Sequence, residues 1–178
     1  MKVFKNNQLK LNNSVVSIGA FDGIHLGHQA LIRKAKMRAD DHGVPLVVYT
    51  FDPPPKAFFQ HQMVLTPISE KIQYLQELGC SYTVIASFDQ EYASRSVTDF
   101  VEELALLHPL EIWVGPDFHF GKGKSGSITN LEKAFTAFQH PVVTCEEGNV
   151  ISSTRIRNLL LQNKLDKAQS LLGRASSS

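Results

Sequence analysis

The sequence predicts an α/β protein with a doubly wound, Rossmann-like parallel sheet. Short apolar runs alternate with helix-like stretches along the chain. Strands that alternate with helices form βαβ units, and right-handed crossovers place helices on both faces of a parallel sheet. The 178 residues have room for one such domain, predicted over residues 1–178. Ligands bind these sheets beyond the carboxyl ends of the strands, so the segments that follow strands are candidates for a site.

The first half of the chain contains three predicted strands and two predicted helices. Residues 15–20, 44–51 and 82–86 are short apolar runs, which indicate buried strands. Apolar side chains recur at helical spacing over residues 28–39, and a second helix is predicted over residues 69–78, just before a glycine. Three prolines end the second strand because proline cannot donate to a ladder.

A third helix and a fourth strand are predicted in the middle of the chain. Ser96 and Asp99 have the spacing of a capping box ahead of a helix that reaches Leu107. Pro109 ends that helix, and residues 110–114 form the next apolar run.

The last third of the chain starts with a glycine-rich loop over residues 115–126. A helix is predicted over residues 129–137 and a short strand over 141–145. Two further helices, over residues 154–161 and 165–172, complete the predicted fold.

Composition and charge exclude several classes of protein. Apolar residues make up 43% of the chain and charged residues 20%, which excludes a disordered chain, a collagen and a coiled coil. The net charge of +1 disfavours a nucleic-acid partner, since no basic stripe accompanies it. Two distant cysteines, a polar N-terminus and the lack of a long apolar run predict a cytoplasmic protein with no membrane partner. The oligomeric state is left open.

The segment between the first strand and the first helix contains two histidines at a glycine-rich turn. Gly27 allows a phosphate to approach the backbone, and the helix N-terminus offers free N–H groups. His25 and His28 are three residues apart and can donate hydrogen bonds to a phosphate from one side of the turn. The alternatives are two ordinary histidines, or a zinc site in which Asp22 is the one nearby further ligand.

A second candidate segment, residues 121–126, has the G-x-G-x-x-G pattern. It follows the fourth predicted strand, whereas the dinucleotide fingerprint belongs to the first βα turn. A P-loop is also excluded, because the position that requires its first glycine is Phe118. The segment is therefore either a solvated connection or a mobile, basic flap on the phosphate side.

Hydroxyl groups gather at the start of the predicted helix 154–161. Ser152, Ser153 or Thr154 can cap that helix, or the same hydroxyls and free N–H groups can hold a polyphosphate. Arg155 and Arg157 point in different directions on a helix, so one of them is expected to face the site.

The segment after the second strand combines prolines with aromatic side chains. A rigid run from Pro53 to Pro55, with Phe51, Phe58 and Phe59 nearby, can form the wall of a site for a planar ring system. The alternative is an edge loop that covers a hydrophobic core.

Together these segments resemble the FMN adenylyltransferase module of bacterial FAD synthetases, a family of HxGH nucleotidyltransferases. The resemblance covers nearly the whole chain. Its signature is Gly19-x-Phe21-Asp22-Gly23-x-His25-x-Gly27-His28-Gln29. The later blocks are Thr50-Phe51-Asp52-Pro53-x-Pro55, Leu65-Thr66 with Glu70-Lys71, Val114-Gly115-x-Asp117-Phe118-x-Phe120-Gly121 and Ser152-Ser153-Thr154-x-Ile156-Arg157.

The resemblance implies transfer of AMP from ATP to FMN, giving FAD and pyrophosphate. Mg²⁺ is implied as the cofactor, held mainly by substrate phosphates, and His25 and His28 are implied as the catalytic residues. The implied ATP-binding residues are Gly19, Phe21, Asp22, Gly23, Gly27, Ser153, Thr154 and Arg157. The implied flavin-binding residues are Phe51, Pro53, Pro55, Lys56, Asp117 and Phe118.

Three positions depart from the family pattern. Pro54 stands where the family usually has His, His119 where it usually has Arg, and Ser127 where it often has Asp. All three are expected on the flavin side or the flap, where they affect substrate affinity more than the ATP chemistry. Most family members continue into a riboflavin kinase domain, whereas this sequence stops soon after Arg174. Either the protein naturally lacks that domain or the sequence is truncated, and in either case we expect no residues here that phosphorylate riboflavin.

Two other functions fit the same residues. The first is an HxGH nucleotidyltransferase for another phosphate acceptor, such as a pantetheine phosphate or nicotinate mononucleotide. The second is a flavin- or nucleotide-binding module that has lost turnover.

Overall fold

Six parallel strands form the sheet of the computed structural model, which describes residues 1–174. The strands are Lys2–Lys5 (β1), Ser14–Ile18 (β2), Leu46–Asp52 (β3), Tyr82–Ser87 (β4), Pro109–Val114 (β5) and Ala137–Gln139 (β6). The α-helices are Leu26–His42 (α1), Pro55–Gln60 (α2), Ile68–Glu77 (α3), Gln90–Ala93 (α4), Val97–Ala105 (α5), Ile128–Glu132 (α6), Ser153–Leu161 (α7) and Leu165–Leu172 (α8). Residues 175–178 of the predicted domain lie outside the described residues.

The strand order β1-β4-β3-β2-β5-β6 confirms a doubly wound sheet. Strand β2 is central: Val16 pairs with Val47 of β3 on one side and with Ile112 of β5 on the other. The chain therefore leaves β2 toward β3 and later returns to its other side as β5. This reversal creates a crevice at the carboxyl ends of β2 and β5, where doubly wound folds bind ligands.

Successive side chains of β2 point to opposite faces of the sheet, and both faces are buried. Val16 and Ile18 belong to the core on one face, which includes Leu104 of α5. Val15 points to the opposite face and joins the core that contains Ile32 of α1 and Leu75 of α3. Because both faces are covered, the central strands have continuous apolar runs, which is why the sequence predicted them well.

Most predicted elements are confirmed to within a few residues at each end. The capping box of α5 is present, since Ser96 Oγ accepts the Asp99 N–H at 3.0 Å and Asp99 Oδ2 accepts the Ser96 N–H at 3.2 Å. Within residues 1–174, no helix is both long and apolar enough to cross a bilayer.

Two predictions near the C-terminal third are wrong. The helix predicted over residues 129–137 ends at Glu132, and Ala137 begins β6 beside β5. The strand predicted over 141–145 is absent from the described sheet; a single bridge joins Thr144 to Val150 instead. The edge position beside β5 is taken by β6, and Pro141 follows directly after it, so the sheet does not extend over that segment.

Three short elements were not predicted. Strand β1 is an edge strand with mostly exposed, lysine-rich residues, so it has no apolar run to detect. Helices α2 and α4 contain six and four residues, which is too short for helical periodicity to appear.

The capping box predicts a measurable stability loss. Ser96→Ala removes the acceptor for the Asp99 N–H and is expected to lower the free energy of unfolding by about 1 kcal/mol, measured by urea denaturation. Thr98→Ala, at an exposed position in the same helix, is the control and should change it by less than about 0.5 kcal/mol. Equal effects of the two substitutions would show that the capping box contributes no stability.

Candidate active site

A cleft of about 390 Å³ lies at the carboxyl edge of the sheet, at the crevice between β2 and β5. Four walls line it: the β2–α1 loop, the segment after β3, the segment after β5, and a wall from β6 to α7. Their lining residues are Ile18–Asp22, His25, Gly27, His28 and Leu31; Phe51 and Pro54–Lys56; Gly115–His119 and Lys124; and His140–Val143, Val150–Thr154 and Arg157.

His25 forms the N-terminal cap of α1. Its Nδ1 accepts hydrogen bonds from the N–H groups of Gly27 at 3.1 Å and His28 at 3.3 Å. A ring nitrogen that accepts cannot carry a proton, so the neutral His25 ring has its proton on Nε2. The cap therefore fixes the tautomer of His25 and leaves Nε2–H as its donor.

The two imidazoles lie against each other in the cleft wall. The rings of His25 and His28 are stacked, with centroids 3.6 Å apart and planes 17° from parallel, and the Phe21 ring meets His28 edge-on at 5.3 Å. Burial and the positive charge of Arg174 lower the pKa of His25 to about 4. Burial, followed by the charges of His25, Lys71 and Arg174, lowers the pKa of His28 well below its usual value. Both rings are therefore neutral at pH 7.

The atom His28 Nδ1 supports this protonation state. It is buried and has no hydrogen-bond partner among residues 1–174. A charged ring would bury an unpaired donor at that position, which costs more than burying an unpaired acceptor of a neutral ring.

Two glycines make room for these aromatic rings. A Cβ at Gly27 would lie 2.9 Å from His25 Cε1, so a side chain there would displace the capping ring. A Cβ at Gly19 would lie 3.0 Å from the edge of the Phe21 ring. The glycines that the sequence associated with phosphate access are thus also required for the packing of the loop itself.

A buried ion pair joins the β2–α1 loop to α7. Asp22 and Arg157 are 3% and 7% exposed, and Arg157 Nη2 donates to Asp22 Oδ2. The other carboxylate oxygen of Asp22 accepts the N–H groups of Leu65 at 2.9 Å and Thr66 at 3.2 Å. Both oxygens of the Asp22 carboxylate therefore already accept hydrogen bonds within the protein, and Asp22 holds α7 and residues 65–66 against the loop.

The start of α7 presents hydroxyl and amide donors to the same cleft. Ser152 caps the helix by accepting the Arg155 N–H at 3.1 Å, and Ser153 Oγ donates to the Asp22 carbonyl at 2.6 Å. Thr154 is exposed and lines the cleft. Arg157 also lines it, and its buried Nη1 has no acceptor among the residues described.

Arg155 points away from the cleft. Its guanidinium lies 3.3 Å from Cys145 Sγ and donates to the carbonyls of Asn149 and Val150. One of the two arginines thus faces the cleft, which is the arrangement that helical geometry predicts.

Most residues predicted to bind flavin lie in the wall opposite α7, and two predicted site residues do not line the cleft. Phe51, Pro55, Lys56, Asp117 and Phe118 are in the wall. Pro53 and Gly23 are outside it. Gly23 has a φ of +93°, and a Cβ there would lie 3.0 Å from Leu65 Cδ1. Glycine adopts a positive φ readily because it has no Cβ, so the backbone alone accounts for glycine at this position.

The structure adds a wall that the sequence analysis missed. His140 to Val143, together with Val150 and Ile151, follow β6 and lead into α7. The rule that sites lie after strands would have found His140 if the strand had been predicted at residues 137–139 and not at 141–145. Segment 88–95 follows a strand and yet does not line the cleft, because β4 lies outside β3, away from the crevice.

The glycine-rich segment 121–126 is largely a fixed connection. Phe120 and Gly126 bridge each other, and Lys122 N–H donates to the Arg95 carbonyl at 2.9 Å. Of this segment, Lys124 alone lines the cleft among the residues described, so a basic side chain and not the glycines faces the ligand space.

An all-parallel sheet whose crevice loop presents His-x-Gly-His at a helix N-terminus, opposite a Ser-Ser-Thr helix start, defines the class of HxGH nucleotidyltransferases. Within that class a more specific assignment follows from comparison with known proteins. The family model for FAD synthetase matches residues 7–155, and the chain belongs to the FAD synthetase family.

Individual relatives agree with this assignment. A Geobacillus thermodenitrificans protein, provisionally named as a bifunctional riboflavin kinase/FMN adenylyltransferase, is 45% identical over 174 residues, which are 97% of each chain. The bifunctional riboflavin kinase/FMN adenylyltransferase of Escherichia coli K12 is 34% identical over 176 residues. The match covers 94% of this chain and 56% of the E. coli protein, so the chain spans little more than half of that relative.

A solved structure has the same fold. It is a Streptococcus pneumoniae protein described as a macrolide-efflux protein, with a TM-score of 0.85 and 29% sequence identity. The similarity covers 97% of this chain and 61% of that one.

Breaking the buried ion pair should destabilise the protein strongly. Asp22→Asn leaves the Arg157 charge buried without its partner, and we expect the free energy of unfolding to fall by about 3–5 kcal/mol in urea denaturation. Asp41→Asn is the matched control, because Asp41 forms an exposed pair with Arg38 that is worth less than about 1 kcal/mol. A loss at Asp22 as small as the loss at Asp41 would contradict this role.

The depressed pKa of His25 predicts a pH dependence of stability. Between pH 6.5 and about 4, the unfolded chain binds a proton at His25 that the folded protein does not bind, so the free energy of unfolding decreases as the pH falls. The full loss from this group is about 3 kcal/mol. His25→Asn keeps a capping acceptor and removes the titration, so its stability should fall less steeply in urea denaturation at pH 7, 6, 5 and 4. Parallel curves for the two proteins would refute this assignment.

Proposed function

We propose that this chain transfers AMP from ATP to FMN, producing FAD and pyrophosphate. The observation that carries the proposal is the neutral, stacked His25–His28 pair in a cleft of a chain that belongs to the FAD synthetase family. The cleft has the two kinds of wall that the reaction needs. One offers hydroxyl, amide and guanidinium donors for a polyphosphate, and the other offers aromatic and proline surfaces for a ring system.

The chemical step is a substitution at the α-phosphorus of ATP. An oxygen of the FMN phosphate forms a new bond to that phosphorus, and the bond from phosphorus to the oxygen bridging to the β-phosphate breaks. The FMN phosphate is already anionic at neutral pH, so the step needs no strong general base. The protein contributes alignment of the two phosphates and stabilisation of the charge that develops on the α-phosphate.

The histidines act as neutral hydrogen-bond donors in this proposal. Nε2–H of His25 is free to donate because Nδ1 is fixed by the helix cap. His28 is held in place by stacking on His25 and by the edge of Phe21. Donors that are already oriented stabilise a developing charge without reorganising during the step.

The start of α7 holds the leaving pyrophosphate. Thr154 and the unpartnered Nη1 of Arg157 supply donors from the cleft wall, and the free N–H groups of the helix add partial positive charge. Ser153 donates to the Asp22 carbonyl, which aligns this helix start with the histidine loop.

The wall after β3 and β5 receives FMN. Phe51, Pro55 and Phe118 supply apolar surface for the ring system, and Lys56 supplies a positive charge for the FMN phosphate. Asp117 provides a carboxylate for a flavin or ribose hydroxyl.

Mg²⁺ is the cofactor that this chemistry implies, and the donor set of the cleft suits it. Of the lining residues, Asp22 and Asp117 are the carboxylates, and Asp22 is occupied by Arg157, Leu65 and Thr66. Asp117 is exposed and is the carboxylate available to an ion that prefers substrate phosphates and water as its other ligands. When bound, Mg²⁺ neutralises charge on the phosphates.

The cytoplasm is the proposed location. Both cysteines are free thiols, and burial raises the pKa of Cys80 to about 12, which makes it unreactive. Reduced cysteines are typical of proteins from a reducing compartment.

The reaction is tested by FAD formation from FMN, ATP and Mg²⁺, with riboflavin as a parallel acceptor that lacks the phosphate nucleophile. We expect FAD to form when FMN is the acceptor and no product to form when riboflavin is the acceptor. His28→Ala should lower kcat roughly 100- to 1,000-fold because one oriented donor is lost. His42→Ala, at the other end of the same helix, is the control and should keep the wild-type rate.

Two outcomes would contradict the proposal. Absence of FAD from the wild-type protein would exclude the reaction, and an unchanged rate for His28→Ala would exclude the histidine pair from the chemistry.

A further inference from the structure

The loop that carries the histidine pair has a strained backbone. Phe21, Gly23 and Ile24 have positive φ angles of 49°, 93° and 39°. Glycine adopts this region readily, but a β-branched residue such as Ile24 adopts it only when surrounding contacts enforce it. The loop that ends directly before His25 therefore requires specific contacts to keep its shape.

Those contacts are made to the loop's carbonyl groups. The Ala20 carbonyl accepts from Lys71 Nζ at 2.8 Å and from Thr50 Oγ1 at 3.0 Å. The Gly23 carbonyl accepts from Arg174 Nη2 at 2.6 Å, and the Ile24 carbonyl from Arg174 Nη1 at 2.9 Å. Two cationic side chains, from different parts of the chain, thus hold the two ends of the strained segment.

The ammonium group of Lys71 is buried, and burying a charged group costs folding free energy. It lies on α3, is 1% exposed, and has no carboxylate within ion-pair distance in the described chain. Its Nζ reaches the carbonyls of Ala20 and Phe51, at the ends of β2 and β3. Burial lowers the pKa of Lys71 to about 8, against the opposing charges of Asp22 and Asp52. A core position would be more stable with an apolar side chain, so the lysine points to a role beyond folding.

Arg174 reaches the loop from beyond the last helix. Its guanidinium lies 4.0 Å from the centre of the Tyr74 ring on α3, which fixes its orientation. From there its two terminal nitrogens reach two consecutive carbonyls, a geometry that the planar fork of arginine allows and an ammonium does not.

We propose that Lys71 and Arg174 are positioning residues that form a two-cation clamp, holding the β2–α1 loop in the shape that presents His25 and His28 to substrate. The proposal deepens the adenylyl-transfer function and rests on it. The clamp also acts on the histidines electrostatically. The charged groups that face the pair are Lys71 from α3, which acts on His28, and Arg174 after α8, which acts on both rings, while Asp22 on the loop itself is paired with Arg157.

The clamp therefore keeps both imidazoles uncharged. A positive charge beside an imidazole disfavours a second one, so removing Lys71 or Arg174 makes protonation of the pair easier. This effect is independent of catalysis, and a merely structural contact between an apolar side chain and the loop would not produce it.

The test uses Lys71→Met, Arg174→Gln and Arg174→Lys in the full chain, with Lys10→Gln, an exposed lysine, as the matched control. Imidazole ¹⁵N NMR between pH 7 and 5 gives the protonation state of His25 and His28. In the wild type both rings should stay neutral, with the proton of His25 on Nε2. At pH 5 a measurable fraction of the His28 ring in Lys71→Met, and of both rings in Arg174→Gln, should be protonated, with a smaller fraction in Arg174→Lys.

Activity and thermal unfolding complete the test. We expect kcat for FAD formation to fall at least tenfold in Lys71→Met and Arg174→Gln, with a smaller fall in Arg174→Lys. Thermal unfolding must show that each variant is folded at the assay temperature, so that a fall in kcat reports the shape of the loop and not loss of the fold. Imidazole protonation at pH 5 that matches the wild type in both charge-removing variants would overturn the clamp, as would kcat values within twofold of the wild-type value. Failure of the wild type to form FAD refutes the proposed function separately, since the NMR result does not depend on turnover.

Discussion

The buried ion pair between Asp22 and Arg157 is the interaction on which the site depends. It connects the loop after the central strand to α7, across 135 residues of sequence. This pair and the hydrogen bond from Ser153 Oγ to the Asp22 carbonyl together hold the histidine loop against the start of α7. The Asp22 carboxylate also accepts the Leu65 and Thr66 N–H groups. One side chain thus joins the β2–α1 loop, residues 65–66 and α7, which are far apart in the sequence.

The positive charge around the cleft comes from a local group of side chains and not from the net charge of the protein. The net charge of +1 gives no long-range field for an anionic substrate, yet Lys56, Lys71, Lys124, Arg157 and Arg174 all lie in or behind the cleft. The histidines add no charge to this group, because the cations that surround them favour neutral rings. Under the proposed function the site separates two tasks: the fixed cations provide positive potential, and the imidazoles provide directed hydrogen bonds to the reacting phosphate.

Much of this arrangement could be predicted from sequence because its signals are local. The central strands are apolar runs, Ser96 and Asp99 form a capping box, and the His-x-Gly-His motif sits at a predicted helix start. The clamp could not be predicted in this way. Lys71 contacts Ala20 across 51 residues and Arg174 contacts Ile24 across 150, and a lysine in an amphipathic helix is normally a solvated side chain. Strand β6 was missed because three mostly exposed residues at a sheet edge have no apolar run.

The three departures from the family pattern now separate into two kinds. Pro54 and His119 line the cleft on the side assigned to flavin, so they are positions where a changed side chain can meet the substrate. Ser127 is outside the lining; it begins α6, and its N–H donates to Asn130 Oδ1 at 3.0 Å. Serine is a favoured residue at such a helix start, as is the aspartate that the family often has there. The exchange at position 127 therefore replaces one residue favoured at a helix start by another, and an effect on flavin affinity is expected from positions 54 and 119 alone.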